Sequence, residues 1–263
     1  MLVDSHCHLD FPDFVDELDA VVARARAAGI VRLITISTRV ARHAQVLAIA
    51  ERYDDVYCSI GTHPHNAKEE PDVSTADLVA RVRHPKIVAI GEAGLDYHYE
   101  HSPRAAQEQS FRRHIAAARE TGLPLVIHTR DADADTARIL QEESRLGAFP
   151  AVLHCYTGGR ELAFTAINLG LYVSFTGILT FRKSDDLRAL AAALPADRII
   201  LETDAPYLAP GKFRGKRCEP AYVVETAKVL AEVRRTSFED IARQTTENFF
   251  TLFAKVPRPK FAA

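Results

Sequence analysis

Ile87-Val88-Ala89-Ile90-Gly91-Glu92-Ala93-Gly94-Leu95-Asp96 reads as a buried strand that runs out into carboxylates. The clearest helix of the chain, Pro103–Thr121, follows it: Ser102 is placed to cap it, Pro103 suits its first turn, and Gly122 with Pro124 ends it. The same unit recurs on both sides. Apolar, β-branched runs begin near Leu2, Val31, Val56, Leu125, Ala151, Leu171 and Ile199, with amphipathic stretches such as Asp13–Ala28 and Val40–Arg52 between them. Eight strands, each followed by a helix, in ~250 residues is the count of a (β/α)8 TIM barrel, an α/β fold. A doubly wound open sheet is the fallback, because alternation alone does not distinguish closure. A C-terminal helix, roughly Phe238–Phe253, opens with the box Ser237-Phe238-Glu239-Asp240 and carries Ile241, Phe249, Leu252 and Phe253. No linker, low-complexity tract or internal repeat interrupts the pattern, so residues 1–263 are read as a single domain.

Composition narrows the class. The 263 residues are 47% hydrophobic and 26% charged, which excludes disorder. Thirty-three basic against thirty-five acidic side chains exclude an all-round cationic coat for nucleic acid, but allow a local basic patch. Cys7, Cys58, Cys155 and Cys218 form no C-x-x-C pair, and a disulfide framework is implausible in so long a chain, so a reducing compartment is expected. The first residues carry no signal-peptide pattern. Leu162 to Phe181 has no charge and is long enough to span a bilayer, yet Asn168, Gly170, Ser174 and Gly177 break any apolar core. A helix end, a glycine turn and a buried strand explain it better, and a cytoplasmic protein is expected. Nothing in the sequence asks for a membrane or an obligate protein partner.

The ends of barrel strands form one functional face. The first strand ends in His6-Cys7-His8, the third runs into Gly61-Thr62-His63-Pro64-His65, and the fourth ends in Glu92 to Asp96. The fifth ends at His128, the sixth at His154, and the eighth reads Leu201-Glu202-Thr203-Asp204-Ala205-Pro206. Residues two apart on a strand share a face, so His6 and His8 point one way and Cys7 the other. Imidazoles converging with carboxylates suit a borderline divalent ion such as zinc. Taken singly, His128 or His154 reads as a core histidine; their company at corresponding strand ends points to a site. Glu202 shares a face with Asp204 and is read as an orienting partner of a ligand. Cys7 and Cys155 read as small buried hydrophobes, and His43, His84 and His114 as solvated helix residues. His98 and His101 follow the fourth strand, where a substrate could reach them.

With these motifs the chain resembles the TatD family of metal-dependent hydrolases, within the amidohydrolase superfamily. The resemblance runs from about Val3 to Phe253. Its markers are Asp4-Ser5-His6-Cys7-His8-Leu9, Gly61 to His65, Gly91 to Asp96, Ile127-His128-Thr129-Arg130, His154-Cys155-Tyr156-Thr157-Gly158, Ser174-Phe175-Thr176-Gly177 and Glu202 to Tyr207. It implies a barrel with a two-metal centre, and nuclease activity in several members. Position by position, it implies His6, His8, Glu92 and Asp204 as ligands of one metal, and Glu92, His128 and His154 as those of a second. Better-known binuclear members of the superfamily bridge with a carboxylated lysine; no lysine stands at the ends of strands four or five, and Glu92 supplies a carboxylate directly. One departure is Arg217-Cys218-Glu219-Pro220, where the family commonly has Arg-Asn-Glu-Pro, which puts a loop contact in doubt.

The expected reaction is two-metal phosphodiester hydrolysis, with a metal-bound hydroxide attacking and Asp204 as general base beside the catalytic Glu92. The expected substrate is DNA, single-stranded or at its ends. His63 and His65 are expected at the phosphate, His63 the stronger candidate. Lys212-Phe213-Arg214-Gly215-Lys216-Arg217 has four cations in six residues after the eighth strand, so Arg214, Lys216 and Arg217 are expected to bind phosphate, with Phe213 and Tyr207 available for stacking on a base. Ligand softness favours zinc, manganese or nickel, whereas the family's nuclease activity is often associated with magnesium. The alternatives are an amide or ester hydrolase, for example of an aminoacyl linkage, and a binding protein that keeps metal without catalysis.

Overall fold

Strands form where β-branched runs predict them: β1 (Leu2–Cys7), β2 (Ile30–Thr35), β3 (Val56–Ile60), β4 (Ile87–Asp96), β5 (Leu125–Arg130), β6 (Ala151–Leu153), β7 (Tyr172–Phe175) and β8 (Ile199–Leu201). Each start lies within one residue of the sequence reading. The computed structural model describes residues 1–259, so the last four residues of the expected domain lie outside it. The strands pair in chain order, each parallel to the next. The ring closes where β1 meets the segment after β8: Asp204 N donates to His6 O (2.9 Å) and His8 N to Ala205 O (2.7 Å). The fold is a TIM barrel.

One inward residue from every strand (Val3, Ile34, Tyr57, Val88, Val126, Val152, Tyr172 and Ile200) packs against Phe249, Phe250, Leu252 and Phe253. The end of the C-terminal helix thus plugs the bottom of the barrel, each buried apolar side chain contributing about 1.5–3 kcal/mol. Two residues further along β5, along β6 and beyond β8, the same face carries His128, His154 and Glu202. A polar layer therefore sits directly on an apolar one. Val3 faces inward as His6 and His8 do; the register shift between Asp4 and Cys7 absorbs that change of parity. Outward residues such as Leu2, Leu33, Val56 and Leu125 pack against the surrounding helices.

Among the described residues the helices are α1 (Leu18–Ala27), α2 (His43–Arg52), α3 (Thr75–Arg81), α4 (Arg104–Thr121), α5 (Asp133–Arg145), α6 (Arg160–Asn168), α7 (Asp185–Ala193), α8 (Val223–Arg234) and α9 (Phe238–Leu252). The first two are shorter than their amphipathic stretches, because 3-10 turns occupy Pro12–Phe14 and Val40–Arg42. Gly122 ends α4 at φ 69°, a left-handed conformation that glycine adopts without strain. Ser237 Oγ accepts from Asp240 N (3.0 Å) at the start of α9, as its box predicts. Ser102 does not cap α4: its hydroxyl donates to His65 O (2.8 Å) and accepts from Lys68 N (3.1 Å), joining the helix start to the loop after β3. The uncharged stretch from Leu162 is the end of α6, a turn at Gly170 and β7. No helix among the described residues is long and apolar enough to cross a membrane.

Two of the three histidines read as solvated are buried. His43 reaches Ser59 O through Nε2 (3.1 Å), and only His84, paired with Glu51, is half-exposed. His114 is enclosed: its Nδ1 donates to Ser110 O (2.8 Å) and its Nε2 accepts from Thr62 N (3.0 Å). The helix faces they lie on are covered by loops that the helix sequence does not show. Burial pushes His114 down to about 4, so below its ordinary value near 6.5 the unfolded chain takes up a proton that the folded protein refuses. Stability is intact above pH 6.5 and falls as the pH drops towards 4, by on the order of 3 kcal/mol from this residue. Urea unfolding at pH 7.5 and pH 5 should show about 2 kcal/mol of that loss from His114, and His114→Gln should reduce the slope by that amount; an equal slope in the variant would remove His114 from the account.

Candidate metal centre

Six strand ends deliver their polar side chains to one point above the apolar layer. Glu92, buried in the middle, is the shared element. Its Oε1 lies 2.8 Å from His154 Nε2, 3.0 Å from His128 Nδ1 and 3.4 Å from His63 Nε2, while Oε2 lies 3.5 Å from His6 Nε2. On that second side, Asp204 Oδ1 is 3.5 Å from His6 Nε2 and 3.4 Å from His8 Nε2. The structure therefore brings together His6, His8, Glu92, His128, His154 and Asp204, with His63 beside them.

The surrounding bonds orient these groups. His8 Nδ1 donates to Ile36 O (3.3 Å), which leaves Nε2 for the centre. His154 Nδ1 meets Glu202 Oε1 (3.2 Å), and that oxygen also accepts from Cys155 N (2.6 Å). Glu202 thus holds a histidine, as its parity with Asp204 suggested. Asp96 was not assigned a role, although its even spacing from Glu92 was the available signal. Its Oδ2 accepts from both His128 Nε2 and His65 Nε2 at 3.0 Å, which occupies His65 and turns His128 Nδ1 to the centre. Asp4 is a further unassigned carboxylate. It accepts from Thr203 N (2.8 Å), Thr203 Oγ1 (2.5 Å) and His6 N (3.3 Å), tying β1 to the Asp204 loop.

Electrostatics follow from this packing. Burial alone would raise the Glu92 carboxyl, but His154, His63 and His128 hold it well below the usual carboxylate range. Burial opposes charge on His154 too, yet Glu92 and Glu202 raise it well above the ordinary imidazole value. His6 goes the other way, pushed well down by burial and then by neighbouring His154. It is a neutral imidazole whose Nε2 faces His8 Nε2 at 3.2 Å and whose buried Nδ1 has no hydrogen-bond partner among the described residues. Two ring nitrogens and two carboxylates aimed at one point satisfy each other poorly, and a divalent cation satisfies all four. The donor set fits a metal.

The centre opens into a cavity of about 1050 Å³. Its wall includes Arg39, Arg42 and Arg130, and its rim carries Tyr99 and Tyr207, the two exposed aromatic rings among the described residues. The basic loop is placed elsewhere. Arg217 pairs with Glu17 (2.8 Å) over the Phe14 ring, Arg214 lies over Phe181, and Phe213 stacks on Tyr222 at 3.9 Å. Neither they nor Lys216 line the cavity. Lys212 pairs with Glu225 (3.0 Å) as well; these partners lie outside the run, so its cations look free in the sequence although three of the four are engaged. Cys155 also departs from its reading. Its φ of 44° breaks the strand alternation and brings it into the cavity wall. His98 pairs with Asp131 (2.9 Å), and His101 stacks on Tyr99.

A TIM barrel with this centre at the C-terminal ends of its strands has the donor set of a metal-dependent enzyme. Residues 3–254 match the family described as TatD related DNase. The chain is 39% identical over 253 residues to the uncharacterized metal-dependent hydrolase YabD of Bacillus subtilis (strain 168), covering 96% of this chain and 99% of that protein. It is 38% identical over 259 residues to the 3'-5' ssDNA/RNA exonuclease TatD of Edwardsiella piscicida, covering 96% and 99%. The crystal structure of YJJV, a TatD homolog from Escherichia coli K12, matches with a TM-score of 0.89 at 31% identity, covering 96% of this chain and 98% of that one. The chain belongs to the TatD family.

Proposed function

We propose that the protein is a phosphodiesterase that shortens single-stranded DNA, and also RNA, from an end, working as one domain with two divalent ions. The observation that carries this reading is a single carboxylate, Glu92, shared between two histidine groups on the floor of a cavity walled by arginines. His6, His8, Glu92 and Asp204 would hold one ion, and Glu92, His128 and His154 the other; zinc, manganese, nickel or magnesium bound there would supply positive charge to the phosphoryl group and a more acidic water. The chain's own residues do the rest. Asp204, half-open to the cavity, takes the proton of the attacking water. His63 Nδ1 accepts from His65 N (3.1 Å), so its proton is on Nε2, which points to the centre and donates to a phosphoryl oxygen. Its neutrality follows from burial, which pushes it down to about 4. Arg42 and Arg130 replace Arg214, Lys216 and Arg217 as the contacts to flanking phosphates, with Arg39, paired with Glu69, on the same wall. Tyr99 and Tyr207 offer rings to unpaired bases. The exonuclease name of the Edwardsiella relative supports the same reading.

The test is a time course on end-labelled single-stranded DNA with each metal in turn, comparing the protein with Asp204→Asn. A ladder of shortened products is expected, formed about 10²–10³-fold more slowly by the variant. If the strand survives every metal while the protein carries two metal equivalents, the reading is lost and amide or ester substrates come next.

A further inference from the structure

Asp10 stands two residues beyond His8, in a turn closed by Phe11 N donating to His8 O (3.2 Å), and lines the wall of the cavity. Its Oδ1 is buried and has no hydrogen-bond partner among the described residues. A carboxylate with one oxygen enclosed and unpaired is costly, and because the Asp10 side chain stands half-buried on the cavity wall, a ligand that brings a donor to it relieves that cost. The neighbourhood suits one end of a nucleotide. Phe11 stacks on His8 at 4.5 Å and meets Tyr207 edge-on at 6.0 Å, and Arg42 of the following loop lines the same wall with no ion-pair partner among the described residues.

Given the strand-shortening function above, the chemistry of a DNA backbone then narrows the donor. Phosphate and ring oxygens are acceptors, and an internal nucleotide has no donor on its sugar–phosphate chain. A terminal nucleotide has one, its free hydroxyl. We infer that Asp10 recognises the terminal hydroxyl of the strand and so makes cutting begin at an end. Where an internal strand passes, the next phosphate instead meets the Asp10 carboxylate, charge against charge with no donor between them. Arg42 serves the phosphate on the other side of the terminal sugar. Discrimination of this type comes from a polar group that only the right ligand satisfies.

The experiment uses the metal-loaded protein and single-stranded oligonucleotides ending in a hydroxyl, a deoxy sugar or a phosphate, varied separately at the 3' and 5' ends, with a circular strand as the endless substrate. At one end, removing the hydroxyl is expected to lower kcat/KM by about tenfold or more, a phosphate to lower it further, and the circle to survive. Asp10→Ala and the near-isosteric Asp10→Asn are read by ratio: the hydroxyl-to-deoxy preference should collapse to within about twofold in the alanine variant and shrink in the asparagine variant. A merely structural Asp10 would lower all rates together and keep the ratio, which overturns the inference. So does a wild-type protein that cuts all ends and the circle alike, or an Asp10 effect that follows the 2'-hydroxyl of RNA. Failure of the underlying function looks different: no oligonucleotide is cut, whatever its end.

Discussion

Glu92→Gln is expected to lower turnover by ~10³-fold or more and to reduce the bound metal below two equivalents. The scale is that of removing one charge-stabilising group from a buried site, and here the group serves both halves of the centre. Glutamine keeps the shape and removes the charge. His154, His128 and His63 then face a neutral amide across the 2.8–3.4 Å that now separates them from a carboxylate. The His6 side loses the carboxylate that Asp204 alone does not replace. Elemental analysis of purified protein, alongside rates on a labelled strand, checks both parts. A variant with two tightly held ions and more than about a tenth of the activity would take Glu92 out of its central role.

Gly94→Ala should be the most damaging single change to the fold outside the ligand set. Gly94 has φ 147° and pairs across β4–β5 with His128. A Cβ there would overlap the His128 carbonyl oxygen and sit 2.9 Å from its carbon and 3.1 Å from its nitrogen. These are backbone atoms, and the neighbouring pairs Ala93 with Ile127 and Leu95 with Thr129 keep the strands from parting locally. Strain of this kind costs about 4 kcal/mol or more, which in a protein of this size lowers Tm by about 10 °C. His128 would shift with its strand, so metal should be lost as well. A thermal melt within about 2 °C of the parent would show that β4 yields more easily than its register implies.

Much of this was legible in the sequence, for identifiable reasons. The strands could be read because stiff β-branched residues cluster where strands form and little else in the chain looks like them. The convergence of the candidate donors could be read because parity along each strand is preserved, so His128 and His154 inherit the inward face of Val126 and Val152. Resemblance to the family supplied the sharing of Glu92, which spacing alone did not. The basic run after the eighth strand does not line the cavity, which the sequence does not show because cations are conspicuous in a run and inconspicuous one at a time. Arg39 and Arg42 flank one short turn after β2 and share the cavity wall with Arg130 of β5 only through the fold of the barrel, while Arg217 has its partner in Glu17, two hundred residues away. His114 was misjudged for a related reason: its burial is supplied by the loop at Thr62, which the periodicity of α4 does not report.

The seam between the first strand and the last segment of the ring sets an order of assembly. His6 and His8 are near the N-terminus and Asp204 follows the eighth strand, and the bonds that bring them together, Asp204 N to His6 O and Thr203 N to Asp4, are the same ones that shut the ring. During synthesis, seven strands can emerge with two histidines waiting on an open margin. On the proposed function, cation capture at that half of the centre would become strong only when the eighth strand arrives, and loading and completion of the fold would favour each other. A chain cut before β8 would keep Glu92, His128 and His154 but lack Asp204, and so would lose the half of the centre that His6 and His8 share.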